Sequence, residues 1–237
     1  MIDLEAGVAP LARFASELRG EPRAIPFDLR VHAVDDREHA RQTWAARIVD
    51  EYRSVAVFSE LLHLMADLEA PFAALCAVQT LIGDELRHTG WCAEAAGWLG
   101  GHDDFEIDLA DIGLPERGAQ SKARRAFDII GRELVVGEEE SIVVLAAYRD
   151  AASEPVFRDV LAGLLRDEVR HAATGRALLN LFTGGAMARL VSDTDRSELT
   201  SVMAADRGDL RARYAATARG GPGRALGASL EPGDLMG

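Results

Sequence analysis

The pentapeptide Asp-Glu-x-Arg-His occurs twice in this 237-residue chain, as Asp84-Glu85-Leu86-Arg87-His88 and as Asp167-Glu168-Val169-Arg170-His171. Around the first copy, Ala74, Val78, Leu81, Glu85, His88, Cys92, Ala95 and Leu99 follow alternating steps of four and three. Around the second, Phe157, Leu161, Leu164, Glu168, His171, Gly175, Leu178 and Phe182 do the same. That spacing marks one helix face turned toward a core. Each face is largely apolar apart from its Glu and His, which lie three residues apart and therefore share it. Ionised carboxylates are costly to bury unless paired or bound to a cation. A fold that buries both stripes must bring a compensating charge into its centre, and a bound metal supplies one.

The prolines set the limits of the helices that carry these stripes. They stand at 10, 22, 26, 71, 115, 155, 222 and 232, so residues 41–99 and 122–182 are interrupted only by Pro71 and Pro155. Proline suits the start of a helix and disrupts its interior. Each run therefore predicts two helices joined by a tight corner, at Glu69-Ala70-Pro71-Phe72 and at Ser153-Glu154-Pro155-Val156. The result is an all-α four-helix bundle with an internal two-fold repeat. The glycine-rich, acidic stretch between the halves predicts one long crossover along the bundle. The length fits a single domain over 1–237, with its bundle core at 41–182. A C-terminal helix is expected at about 194–218 and a loose glycine- and proline-rich tail at 219–237. The first 37 residues read as irregular cover with one short helix around Leu11 to Leu18.

Two Glu-x-x-His pairs in a four-helix bundle suit a two-metal site when each remaining helix adds one carboxylate. On the first helix, Trp44, Ile48, Glu51, Val55, Phe58, Leu62 and Met65 form the inward stripe, which selects Glu51 over the off-stripe Glu60. On the third helix, Glu138 continues the series Phe127, Gly131, Leu134, Glu138, Ser141, Leu145 and Tyr148. Glu140 on a competing apolar face, Glu139 and Glu133 remain alternatives. Carboxylate oxygen mixed with imidazole nitrogen suits iron or manganese and also admits zinc. Asp84 and Asp167 can accept a proton from the far nitrogen of a ligand histidine and fix its orientation. Arg87 and Arg170, three residues along the same helices, can keep those aspartates charged.

Composition narrows the partners. The formal charge is -13, and Lys122 is the only lysine. Such a field repels phosphate backbones and anionic headgroups, so neither nucleic acid nor a membrane surface is expected. No stretch of about 18 apolar residues is present to span a bilayer. The N-terminal residues do not resemble a signal peptide. Cys76 and Cys92 cannot form a disulfide framework or an iron–sulfur site, and both are expected to be small buried residues in a cytoplasmic protein. His32, His39, His63 and His102 lack partners at metal-binding spacing and are expected at the surface.

The paired motif resembles that of the ferritin-like diiron carboxylate superfamily, particularly bacterial multicomponent monooxygenase hydroxylases and ribonucleotide reductase small subunits. The resemblance covers roughly residues 41–182. It implies a ferritin-like bundle holding two iron ions, with manganese able to replace one or both, on Glu51, Glu85, His88, Glu138, Glu168 and His171. It further implies a nonheme diiron oxygenase or oxidase that activates dioxygen to oxidise a small organic substrate. Three positions depart from the family pattern. Cys92 stands where the reductase places its radical tyrosine, Ile142 where hydroxylases place a threonine, and Leu164 where arylamine N-oxygenases add a histidine. Neither a tyrosyl radical nor an N-oxygenase of that pattern is therefore expected.

Without a dinucleotide or cluster motif, electrons are expected from an external ferredoxin or flavoprotein reductase. Val55, Phe58, Leu81, Ser141, Ile142, Leu145 and Leu164 are the expected pocket walls. A homodimer is compatible with this reading. The alternatives are a ferroxidase or iron-storage protein, a rubrerythrin-like peroxidase and a metal-free structural bundle.

Overall fold

A computed structural model of the chain describes residue 17 and residues 27–101, 120–217 and 226–227. Their regular structure is all helical, with no strand among the described residues. A 3₁₀ turn at Leu29–Val31 leads into α1 (Val34–Asp67) and α2 (Phe72–Trp98). Next come α3, built from consecutive segments Lys122–Ile129, Ile130–Gly137 and Glu138–Ala151, then α4 (Pro155–Thr183) and α5 (Asp193–Thr217). α1 begins at Val34 rather than near residue 41, and α5 lies within a residue of its expected limits.

Local chemistry explains the boundaries. Glu69 turns the chain with φ +54° and Pro71 caps α2, while Pro155 is the first residue of α4. Ser121 caps α3 by accepting the backbone N–H of Arg124. α1 pairs with α2 and α3 with α4, as the short corners require.

Arg41 near the start of α1 reaches the Gly101 carbonyl just after α2, whereas Glu60 and Asp67 near the end of α1 bind Arg125 and Lys122 at the start of α3. Residues 101 and 120 therefore lie at opposite ends of α1. The intervening crossover, like the expected helix around Leu11 to Leu18, lies largely or wholly outside the described residues.

The apolar core is split in two. One cluster gathers Phe58, Leu61, Met65, Val78, Leu81, Phe127, Leu134 and Phe182; the other gathers Trp44, Ile48, Cys92, Leu145, Phe157, Leu161 and Leu164. Along α1, α2 and α4, the residues separating the two clusters include Glu51, Glu85 with His88, and Glu168 with His171. A polar layer thus crosses the middle of the helices, between two apolar blocks. α5 lies outside it against α3, with Leu199 buried in the first cluster.

The tail departs from its expected looseness at two residues. Leu226 is fully buried, its carbonyl accepts the indole N–H of Trp44 at 3.0 Å, and Gly227 adopts φ +70° beside Leu161 and Phe157. The low-complexity composition around Leu226 gave no sign of this contact.

Candidate metal centre

Every residue of the α2 and α4 stripes is buried, so Glu85, His88, Glu168 and His171 face inward together. Glu51 from α1 joins them with its side chain 12% exposed, and Glu138 from α3 with 9%. Two overlapping groups result: Glu51, Glu85, His88 and Glu168 form one, and Glu85, Glu138, Glu168 and His171 the other. Within each group, one oxygen or nitrogen per residue lies within 4.8 Å of every other. This buried cluster could hold a metal ion.

Glu85 and Glu168 belong to both groups because each points one oxygen at each histidine. His88 Nδ1 lies 3.7 Å from Glu85 Oε2 and 3.6 Å from Glu168 Oε1. His171 Nδ1 lies 3.0 Å from Glu85 Oε1 and 3.2 Å from Glu168 Oε2. Glu51 Oε2 completes the first group at 3.4 Å from His88 Nδ1, and Glu138 Oε1 the second at 4.0 Å from His171 Nδ1. Four atoms of the cluster are buried without a hydrogen-bond partner: His88 Nδ1, His171 Nδ1, Glu85 Oε1 and Glu168 Oε2. Such orphans are costly unless something else satisfies them. Here all four belong to the same cluster of ligand atoms, as a shared cation requires.

The far ring nitrogens are held across the helix pair. His88 Nε2 donates to Asp167 Oδ2 and His171 Nε2 to Asp84 Oδ2, both at 3.2 Å. Arg87 bridges Asp84 Oδ1 at 2.6 Å and Asp167 Oδ2 at 2.7 Å, and Arg170 binds Asp84 Oδ2 at 2.6 Å. Arg170 also pairs with Asp167 within its own motif. Each histidine is therefore oriented by the aspartate of the other pentapeptide. Sequence spacing pointed to an aspartate partner but could not identify which one.

The third-helix alternatives separate by their partners. Glu133 forms two hydrogen bonds with Arg53, Glu139 binds Arg176 and Arg207, and Glu140 binds Arg207 and Arg211. Glu60 on α1 is held in the same manner by Arg125. Glu138 instead faces the cluster. It follows a π-helical stretch, where its N–H reaches back five residues to the Glu133 carbonyl. Such wide turns insert a residue into the helical phase. α4 approaches that stretch closely: a Cβ on Gly175 would stand 2.6 Å from the Leu134 carbonyl oxygen. The π-helical turn was not read from sequence, although Gly131, Gly137 and Gly175 mark the region.

Charge neutralisation in the metal-free cluster falls to protons. Burial raises Glu51 to about 7 against the attraction of His88, with repulsion from Glu85 and Glu168 adding to the rise. Burial and the neighbouring Glu168 push Glu138 well above the carboxylate range. For Glu85, burial acts upward, but His171 and His88 hold it down at about 2. Burial alone would depress His171, yet Asp84, Glu168 and Glu85 lift it to about 11. His88 is likewise raised, by Asp167, Glu51 and Glu85 against its burial.

Other expected features fall differently. Cys92 is buried one turn beyond His88, but Cys76 is exposed because it lies off the inward face of α2. His32 is half-buried and pairs with Glu154 at 2.9 Å, away from the cluster. His102 lies outside the described residues. Phe58, Leu81, Leu145 and Leu164, expected as pocket walls, are packed into the two apolar blocks. A surface cavity of about 670 Å³ lies between the start of α3 and α5, where Arg124 is already paired with Asp195 and Glu198.

No helix among the described residues is long and apolar enough to cross a membrane. Compared with known proteins, the chain matches no family model, no curated protein and no solved structure.

Proposed function

We propose that this protein is a nonheme diiron oxidoreductase with a ferritin-like bundle, which uses dioxygen to oxidise a small organic substrate. The observation that carries this reading is the sharing of Glu85 and Glu168 between two ligand groups, each completed by one buried, unpartnered histidine nitrogen. Glu51 and His88 would hold one ion and Glu138 and His171 the other, with Glu85 and Glu168 between them. Four carboxylates, if ionised, balance the charge of two ferrous ions. Manganese suits the same donors.

The metal pair would supply the dioxygen chemistry, with electrons delivered by a ferredoxin or flavoprotein reductase. The chain's contribution is to hold and exclude. Asp84 and Asp167 keep each imidazole turned with Nδ1 inward, and Arg87 and Arg170 keep those aspartates ionised. The apolar blocks on either side limit access of water to the polar layer.

The test is to load the protein anaerobically with ferrous ion, count bound iron per chain, and mix rapidly with dioxygen while following visible absorbance. Two irons and a coloured transient whose decay quickens with an organic substrate support the proposal. Continued oxidation of many irons per chain, with no response to organic molecules, would replace it with iron storage.

A further inference from the structure

α5 packs along the π-helical stretch of α3 and grips that helix on both sides of it. Near its start, Leu199 and Met203 close over Gly131, where a Cβ would stand 2.8 Å from Leu199 Cδ2 and 3.0 Å from Met203 Sδ. Asp206 then binds Arg132. Past the stretch, Arg207 Nε donates to Glu140 Oε1 at 3.1 Å, and Arg211 donates to both oxygens of Glu140 at 2.9 Å. Arg207 also holds Glu139, whose other oxygen is bound by Arg176 of α4.

Ion pairs at a surface contribute little, but Glu140 is only 3% exposed. A carboxylate taken out of water is costly when it loses its partners. The N–H groups from α5 therefore fix the rotation of α3 at Glu140. Residues two apart on an α-helix point about 200° apart. With Glu140 held toward α5, Glu138 is turned to the opposite side, where it meets His171. A wide turn shifts the phase of the helix that follows it, and α5 holds the shifted phase from outside.

We propose that Arg207 and Arg211 are positioning residues for the metal centre: by holding Glu140 against α5, they turn Glu138 toward His171. This rests on the function proposed above and adds α5 to the support of one of its two ions. Docking of α5 and occupancy of the Glu138–His171 group are then coupled, and such a coupling is reciprocal.

Anaerobic manganese titration of the wild type, Glu138→Ala, Arg207→Gln/Arg211→Gln and Arg124→Gln tests this. Glu138→Ala identifies the binding step that belongs to its group. The double variant should weaken that step by about 10-fold or more, the scale of losing a residue that orients a ligand, and the other step much less. Arg207→Lys/Arg211→Lys should retain part of the wild-type affinity. Arg124→Gln loosens α5 at its start, through Asp195 and Glu198, and should leave both steps near wild type. In metal-free protein, the double variant should speed amide exchange at Glu138, whose N–H spans the π-helical turn.

Equal weakening of both steps, an equal effect of Arg124→Gln or unchanged exchange at Glu138 would overturn the proposal by reducing α5 to general support. Should the double variant fold poorly, amide exchange in the wild type decides. Slower exchange at residues 207–211 on metal binding supports the coupling, and unchanged exchange refutes it. A wild-type chain that binds fewer than two manganese ions defeats the diiron reading instead, while exchange at Glu138 in metal-free protein still measures the hold of α5.

Discussion

Asp84 accepts the ring proton of His171 on α4, at 3.2 Å, and not that of His88 four residues along its own helix. Asp167 returns the relationship to His88. The two pentapeptides are thereby laced together, and each ligand group depends on a residue from the opposite helix. Asp84→Asn should weaken metal binding most at the group containing His171, by about 10- to 100-fold, the usual effect of losing such an outer partner. Anaerobic manganese titration of the variant, resolved into two binding steps, measures this. Weakening confined to the His88 group would show that the cross-connection does not orient the histidines.

The division between what sequence could and could not reveal follows from interaction range. The stripes on α2 and α4 were legible because burial repeats with the helical turn, and every residue named on them is buried. Glu51 was legible for the same reason. Periodicity favoured Glu138 but left Glu139 and Glu140 open, because a π-helical stretch shifts the phase immediately before them. The partners that occupy its neighbours, Arg176, Arg207 and Arg211, come from α4 and α5 and share no local pattern with them. Leu226 is a still longer-range case, since its place is set by Trp44 at the other end of the chain.

Metal binding should release protons, because Nδ1 of each histidine and the oxygens of Glu51 and Glu138 must be free to coordinate. Glu51 titrates at about 7 in the metal-free cluster, and Glu138 is raised further from its ordinary value. Apparent metal affinity should therefore increase as pH rises from about 6 to 8. Calorimetry in buffers of different ionisation enthalpy would count the protons, and a pH-independent affinity would contradict the assignment.

Metal-free stability should move the other way. A carboxyl raised by folding favours the fold below its unfolded value near 4.5, and that benefit is lost as pH rises through about 7 for Glu51. His171 acts in the same sense, its contribution being complete below 6.5 and lost through about 11. Denaturant unfolding between pH 5 and 9 should show the metal-free protein weakening while the metal-loaded protein changes less.

Gly175 controls how closely α4 approaches the π-helical stretch. A methyl group there would meet the Leu134 carbonyl oxygen at 2.6 Å and its carbon at 2.8 Å, contacts that backbone cannot relieve cheaply. Gly175→Ala should therefore push α3 and α4 apart at the turn preceding Glu138. Overpacking of this kind costs about 1–3 kcal/mol. Because Glu138 already lies 4.0 Å from His171, the same displacement should lower metal occupancy of that group more than of the other. Metal counting beside a denaturation curve separates the effects: lower stability with both ions retained would show that Gly175 serves packing alone.

Leu226 closes the apolar block at the Trp44 end, and its removal should be felt in stability although it lies far along the chain. The side chain is fully buried, and its carbonyl satisfies the only polar group of the Trp44 indole. Leu226→Ala keeps the backbone acceptor and removes only buried methyl groups, which typically costs about 2–5 kcal/mol. A chain ending at residue 217 loses both and should be destabilised at least as much. It should also shift tryptophan emission, since the indole N–H exchanges a carbonyl for water. Gly227→Ala adds a third check, because its φ of +70° disfavours a side chain and its Cβ would stand 2.9 Å from Leu161 Cδ1. Equal stability of the shortened and full-length chains in urea would show that these two residues rest on the bundle without contributing to it. A loss confined to the shortened chain would assign the stability to the carbonyl and the remaining tail rather than to the leucine side chain.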